Sequence, residues 1–359
     1  MSTMDIELIA ISKDYGTNRV VDNIDLSIPA GEFVSILGPS GCGKTTTLNM
    51  IAGFSDPSSG DIRIRGRSQL GVPPEKRGIG LVFQNYALFP HMTVAENVAF
   101  GLKMKGCPRT KTETEVRSAL RRVHLEGFEH RYPKELSGGQ QQRTALARAI
   151  APKPSLLLLD EPLSNLDLKL REAMRIELKE IQEELGMTFI YVTHDQDEAM
   201  AMSDRIVVMH GGFVAQEGKP DDIYDNPRSR FVADFIGKSN LLPIVSLRRE
   251  EGSMTAVVEG GLELVVEPPE NPSAARYCCL RPEAVRLAPE GKELSSPVNA
   301  LAGTVTRIVN LGAYRDCFVT LANGAVLKSL VRSTRLPDLK VGQPVRLSID
   351  PKAVQLLED

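Results

Sequence analysis

Glu32-Phe33-Val34-Ser35-Ile36-Leu37 runs directly into Gly38-Pro39-Ser40-Gly41-Cys42-Gly43-Lys44-Thr45-Thr46, and this junction decides the fold. The first six residues have the apolar run of a strand buried on both faces, and the loop that follows fits G-x-x-x-x-G-K-[ST] without a gap. Thr46 to Ala52 suits the first turns of a helix. Glycines let such a loop curl until successive backbone N–H groups point inward and hold phosphate oxygens, where side chains would block the approach. Lys44 is placed to bridge the β- and γ-phosphates and the Thr45 hydroxyl to ligate Mg²⁺, while the helix directs its positive N-terminal end at the anion. Strand, phosphate loop and helix in this order predict an α/β domain. Alone they leave GTPases, kinases and helicases open.

Ser155-Leu156-Leu157-Leu158-Leu159-Asp160-Glu161 narrows the choice. It is too short to span a membrane and suits a second buried parallel strand ending in two carboxylates. Ligands collect at the carboxyl ends of such strands. There Asp160 would hold Mg²⁺ through water, and Glu161 would orient or deprotonate the water that attacks the γ-phosphate. The alternative is that the two acids cap the turn opened by Pro162. Leu136-Ser137-Gly138-Gly139-Gln140 precedes a stretch rich in Ala, Leu and Arg up to Ile150, so small residues sit at a helix N-terminus with N–H groups and a hydroxyl available. This is a second anion cradle, and one chain does not easily wrap two separated cradles around one triphosphate.

With these motifs in this order the chain resembles the ATP-binding subunits of ABC transporters. The resemblance implies that ATP and Mg²⁺ are bound. It implies two subunits packed head to tail, each ATP held between the phosphate loop of one copy and Ser137, Gly138, Gly139 and Gln140 of the other. Tyr15 stands where the family stacks an aromatic ring on adenine; taken alone it is a half-buried strand tyrosine. Gln84, in Leu81-Val82-Phe83-Gln84-Asn85, matches the glutamine that reaches Mg²⁺ and the attacking water, or is an ordinary strand-end amide. Ser164-Asn165-Leu166-Asp167 matches the loop where the two subunits touch, with Asn165 where the family often has Ala. His194, in Tyr191-Val192-Thr193-His194-Asp195, matches the histidine that bonds the γ-phosphate. The expected catalytic set is Glu161, His194, Gln84 and Lys44. The metal set is Thr45, Gln84 and Asp160.

The length of 359 residues predicts two domains. Alternating strand and helix patterns from Ile6 to about Glu217 suggest a parallel α/β sheet. A mainly helical stretch from about 91 to 151, with Val94 to Met104 and Thr112 to Val123 as helices, matches the family's helical subdomain, which receives a helix from the membrane subunit. Tyr86 to Pro90 would line that contact or be simply buried. From about 238 to 359 the pattern turns to short alternating runs with turns at Gly252, Gly260-Gly261 and Asn323-Gly324. Arg281-Pro282-Glu283 resembles the turn of the oligonucleotide-binding-like (TOBE) domain of import-type ATPases, and Phe231 to Gly237 its connector. The fold class is therefore an ABC-type P-loop α/β domain over 1–237, followed by a small all-β domain that supports the dimer or carries regulation.

Net charge is −3, aromatics are few and Trp is absent, which argues against nucleic acid as a partner. The start of the chain lacks a secretory leader pattern and no apolar run nears ~20 residues, so the expectation is a peripheral subunit at the cytoplasmic face of the cell membrane. The resemblance implies two transmembrane permease subunits fed by an extracytoplasmic solute-binding protein. Phe83 to Val94 and the Gly-Lys-Ser-Asn-Leu-Leu connector look most like polyamine importers, with ferric iron, sugar or aminophosphonate import as alternatives. A soluble regulatory ATPase is the alternative of another class. Cysteines at 42, 107, 278, 279 and 317 show neither metal nor disulfide spacing. Cys42, beside Lys44, is expected to have a lowered pKa.

Overall fold

A computed structural model describes residues 4–250, 253–268, 274–290, 298–335 and 338–359. It divides into two compact units, one ending at Asp221 and the other beginning at Asp222. In the first, six strands form one sheet in the order Phe213–Gly218, Arg205–His210, Phe33–Leu37, Thr188–Thr193, Leu156–Asp160, Gly80–Val82. All neighbours pair in parallel except the first two, which are antiparallel.

The leucine run explains why the strand Leu156–Asp160 lies inside this sheet. Leu156 and Leu158 point into a core with Val34, Ile36, Leu48 and Ile190, whereas Leu157 and Leu159 enter a second core with Phe33, Val98, Leu146 and Tyr191. Each such side chain removed from water contributes about 1.5–3 kcal/mol before entropy is counted. Phe33, Phe189 and Tyr191 meet in the second core, with ring centroids 5.6 and 5.9 Å from Phe33.

The parallel pattern expected from Ile6 onward is corrected. Met4–Tyr15 and Asn18–Pro29 are long antiparallel strands in a separate four-stranded sheet with Ser59–Ile64 and Arg67–Ser68. The reason is one-sided burial. Ile24, Leu26 and Ile28 are buried while the residues between them are exposed, as suits an antiparallel sheet, and Gly16 at φ 61° closes the hairpin.

Three helices, Val94–Met104, Arg109–Arg122 and Gly138–Ile150, fill the stretch between the strands Gly80–Val82 and Leu156–Asp160. Thr93 caps the first in a reciprocal capping box with Glu96. Asn97, fully buried, accepts from Phe89 N–H at 2.8 Å and donates to the carbonyls of Phe89, Met92 and Thr93 at 3.0–3.1 Å. That one amide holds the segment after Gln84 onto the helix. Among the described residues no helix is long and apolar enough to cross a membrane.

Among its described residues the second unit is all-β apart from short helices and 3-10 turns, with two five-stranded antiparallel sheets enclosing a core that includes Val258, Leu264, Cys278, Val305, Cys317 and Leu347. Gly260, Gly261 and Gly324 have φ of 82°, 78° and 86°, as their turns require; Gly252 lies outside the described residues. The Arg-Pro-Glu turn acts as a clamp. Arg281 donates to the carbonyls of Tyr224, Ala233 and Ile236, and Tyr224 O–H donates to Glu283. Burial and the Glu283 carboxylate push the Tyr224 phenol up to about 12, so it remains a donor at neutral pH.

Asn97→Ala leaves one N–H and three carbonyls without their partner, and should cost about 2–3 kcal/mol. Urea unfolding should show a lower midpoint with an unchanged slope; an unchanged midpoint would refute the hold of the Asn97 amide on the segment after Gln84.

Candidate functional site

The site forms where the parallel strands end. Leu37, Asp160, Thr193 and Val82 are the last residues of four strands, so Gly38 to Lys44, Asp160-Glu161, His194 and Gln84 share one edge of the sheet. In the loop, Gly41 and Gly43 have φ of 80° and 103°. A Cβ on Gly43 would lie 2.8 Å from Val20 O, and one on Gly38 only 2.4 Å from Met209 O, so both positions exclude larger residues. Gly43 also caps the helix Lys44–Ala52 without a side-chain bond, leaving backbone N–H groups of its first turn unspent. The buried Lys44 ammonium donates to Gly38 O at 2.8 Å and Pro39 O at 3.0 Å, which holds the charge within the loop.

Cys42 departs from expectation. It is 4% exposed, and burial pushes its thiol up more strongly than the Lys44 charge pulls it down. The sulfur packs beneath Gly38, where an added Cβ would approach it to 2.6 Å. It is a core residue, and the lowered pKa expected from its neighbours does not occur.

Thr45 Oγ1 reaches Asp160 Oδ1 at 3.4 Å across the gap between helix and strand. Glu161 has φ 42°, costly for a side-chain-bearing residue, and its N–H is tied to Val192 O at 2.9 Å. The bend turns its carboxylate sideways. One oxygen accepts from Gln84 Nε2 at 3.2 Å and the other lies 3.0 Å from His194 Nδ1. Among the described residues neither acid accepts a backbone N–H, so the capping alternative has no bond to support it. Burial first, then the Glu161 charge, raises the Asp160 carboxyl above its ordinary range against Thr45 and Lys44. A carboxylate so placed is short of positive charge. Hydroxyl, carboxylate and amide oxygens at Thr45, Asp160 and Gln84 are the hard donors a Mg²⁺ ion accepts when phosphate and water complete its shell.

Asn165 donates to Gln84 O at 2.9 Å, so the departure from Ala ties the Ser164 to Asp167 loop to the Gln84 strand end. Asp167 caps the helix Leu168–Leu185 by accepting from Leu170 N–H at 3.1 Å. Ser137 and Gln140 form a capping box, Gln140 N–H to Ser137 Oγ at 3.4 Å and Ser137 N–H to Gln140 Oε1 at 2.9 Å. The hydroxyl thus spends a lone pair and keeps its proton. Ser137 and Gly138 are exposed, while Gly139 lies against Leu170, 3.1 Å from an added Cβ.

The structure therefore joins Lys44, Thr45, Asp160, Glu161, Gln84 and His194 on one sheet edge. Among the described residues no hydrogen bond links Ser137 to Gln140, or Tyr15, to that edge. Tyr15 is 54% exposed at the hairpin end, with the Lys13 ammonium 5.2 Å from its ring centroid. Sequence reasoning overlooked Phe54. Its ring, 54% exposed, lies 6.0 Å from that of Phe83, 36% exposed and next to Gln84. Only the exposure of two neighbouring aromatics marks them, and the sequence does not carry it. Of the segment after Gln84, Tyr86 is buried, Leu88 and Phe89 are half-buried, and Ala87 and Pro90 are exposed.

Comparison with known proteins follows this geometry. Sequence models described as "ABC transporter" and "TOBE domain" match residues 21–164 and 278–357. A spermidine/putrescine import ATP-binding protein of Thermobifida fusca is 51% identical over 86% of this chain and 81% of its own length. The chain belongs to the ABC transporter family. A protein of the same description from Rubrobacter xylanophilus is 45% identical over 98% of this chain and 93% of its own length. Two solved ABC structures are similar. One, a dimeric post-hydrolysis ATP-binding cassette bound to ADP and Pi, is 34% identical with a TM-score of 0.54, covering 60% of this chain and 98% of its own. The other, cbiO1 from Clostridium perfringens, is 31% identical with a TM-score of 0.58, covering 62% and 90%. The first unit thus carries an ATP-binding ABC domain and the second a TOBE domain.

The raised Asp160 pKa fixes the sign of a stability effect. A carboxyl raised on folding favours the fold below its unfolded pKa, and that contribution is lost as pH rises through its folded pKa. At pH 7.5 without divalent cations, Asp160→Asn should raise the melting temperature by about 1–4 °C, the gain vanishing near pH 4. A lower melting temperature at pH 7.5 would contradict this.

Proposed function

We propose that this chain is the ATP-hydrolysing subunit of a spermidine/putrescine importer. It works as a homodimer at the cytoplasmic face of the membrane on two transmembrane permease subunits fed by an extracytoplasmic binding protein. The observation that carries the enzymatic reading is the Glu161 carboxylate, bracketed by Gln84 and His194 at the end of the Walker-type strand. The solute assignment rests on relatives named for spermidine/putrescine import that align along most of the chain.

In this reading the Gly38 to Thr46 loop holds the triphosphate by backbone N–H groups, and Lys44 leaves its carbonyl partners for the β- and γ-phosphate oxygens. When bound at Thr45, Asp160 and Gln84, Mg²⁺ supplies charge neutralisation for the phosphates. Glu161 accepts the proton of the attacking water as it closes on the γ-phosphorus, and His194 bonds the γ-phosphate oxygens. Tyr15 offers its exposed face to adenine. Ser137, with its spare proton, and the N–H groups of Gly138 and Gly139 close on the γ-phosphate from the second copy, near Asp167. Loss of that phosphate removes the bridging charge and opens the pair. The exposed Phe54–Phe83 pair beside Gln84 suits a permease contact, so that nucleotide state and transport are linked through one side chain.

Glu161→Gln should bind ATP with near-normal affinity, accumulate a closed dimer, and lose about 10²–10⁴-fold in kcat. Normal turnover would overturn the assignment of the base. Cells lacking this gene should lose uptake of labelled spermidine and putrescine; unchanged polyamine uptake with reduced iron or sugar uptake would replace the solute.

A further inference from the structure

A second charged cleft lies at the opposite end of the sheet from the nucleotide site. It has a volume of about 560 Å³, within the range of small-molecule sites, and its wall includes Arg65, Arg67, Lys76 and Arg77. Ser155 also lines it and opens the strand whose far end carries Asp160, ~16 Å along the chain. The two sites are therefore separate.

Arg77 makes the cleft a built feature. Its side chain is 1% exposed. Nε donates to Val72 O at 2.9 Å, Nη1 to Met50 O and Ile51 O at 2.7 and 2.9 Å, and Nη2 to Gln69 O at 3.0 Å. Gly53, at φ 89°, is needed beside it, because an added Cβ would lie 2.5 Å from Arg77 Nε. All four acceptors are neutral carbonyls. Among the described residues the carboxylate paired with it, Asp56, stands 4.0 Å away and is itself largely exposed. Four of the five guanidinium N–H groups are spent on carbonyls, and the buried charge has only the long Asp56 ion pair to balance it. Burial lowers its pKa accordingly, with Asp56 offsetting only in part. Arg65 is paired with Asp5 at 2.8 Å, whereas Arg67 and Lys76 make no ion pair among the described residues. Two cations without an ion pair among the described residues, Arg67 and Lys76, thus share one wall with the buried Arg77 charge, and the Arg67 guanidinium offers a fork that matches phosphate oxygens.

We infer that this cleft binds a small phosphate ester, its phosphate taken by Arg67 and Lys76 with the Arg77 charge behind it. An anion held by Arg67 and Lys76 in that cleft would also lie in the field of the buried Arg77 charge behind them.

Inorganic phosphate and glycerol phosphate, titrated calorimetrically into the full chain at constant ionic strength, separate this cleft from the nucleotide loop. Binding should be saturable, should survive Lys44→Ala, and should weaken about tenfold in Arg67→Gln/Lys76→Gln, whose basal ATP hydrolysis serves as the folding control. Binding that is lost with Lys44→Ala but kept in the double variant, or no saturable binding, would overturn the inference. Vesicles of phosphatidylcholine with and without phosphatidate identify the source of the ester. Sedimentation that needs phosphatidate, Arg67 and Lys76 assigns it to a lipid headgroup, and soluble binding without sedimentation assigns it to a metabolite.

Discussion

The Glu161 carboxylate is held at both oxygens, by Gln84 from one strand end and His194 from another, and that bracket depends on sheet register. Asp160 faces Val192 and Leu159 faces Val82, so a slip of one residue would turn Glu161 and every leucine before it to the wrong face. The two cores prevent the slip. Behind His194, Tyr191 and Thr193 both donate to the buried Glu198 carboxylate at 2.6 and 2.7 Å, and Arg171 and Arg175 each reach Asp195 at 3.3 Å. A polar layer thus fixes the strand end that the apolar layer has positioned.

The same edge is electrostatically unfinished. Asp160 is raised by burial and by its acidic neighbour, and Lys44 satisfies itself on loop carbonyls. The helix behind the loop presents unspent N–H groups. Ser137 caps its own helix yet keeps a proton to donate. Each group keeps bonding capacity to spare, which the proposed function assigns to a triphosphate and a second copy. In the proposed cycle ATP is the element that completes the interface.

Much of this was legible in the sequence, for physical reasons. Phe33 to Leu37 and Leu156 to Asp160 are apolar at every position, a pattern that only a strand buried on both faces satisfies, and glycines at φ 80° and 103° marked the phosphate loop. The long N-terminal hairpin departs from the parallel sheet expected from Ile6 onward because its buried and exposed positions alternate, as an antiparallel sheet with one open face requires. Cys42 was misjudged because proximity to Lys44 is visible in sequence and burial is not. Tyr86 and Ala87, at φ 62° and 46°, give their carbonyls to Arg148, a contact with no local signature. The Arg77 cleft was hidden for the same reason, since its walls come from separate stretches.

In the proposed function each hydrolytic site is built from two copies of the chain. Chains carrying Lys44→Ala, which damages the loop, can be mixed with chains carrying Ser137→Arg, which blocks the second cradle. A mixed pair retains one site with an intact loop and an intact cradle, so each variant should be inactive alone and the mixture should recover ATP hydrolysis. Wild-type hydrolysis by isolated Ser137→Arg, or a mixture that stays inactive, would contradict the account.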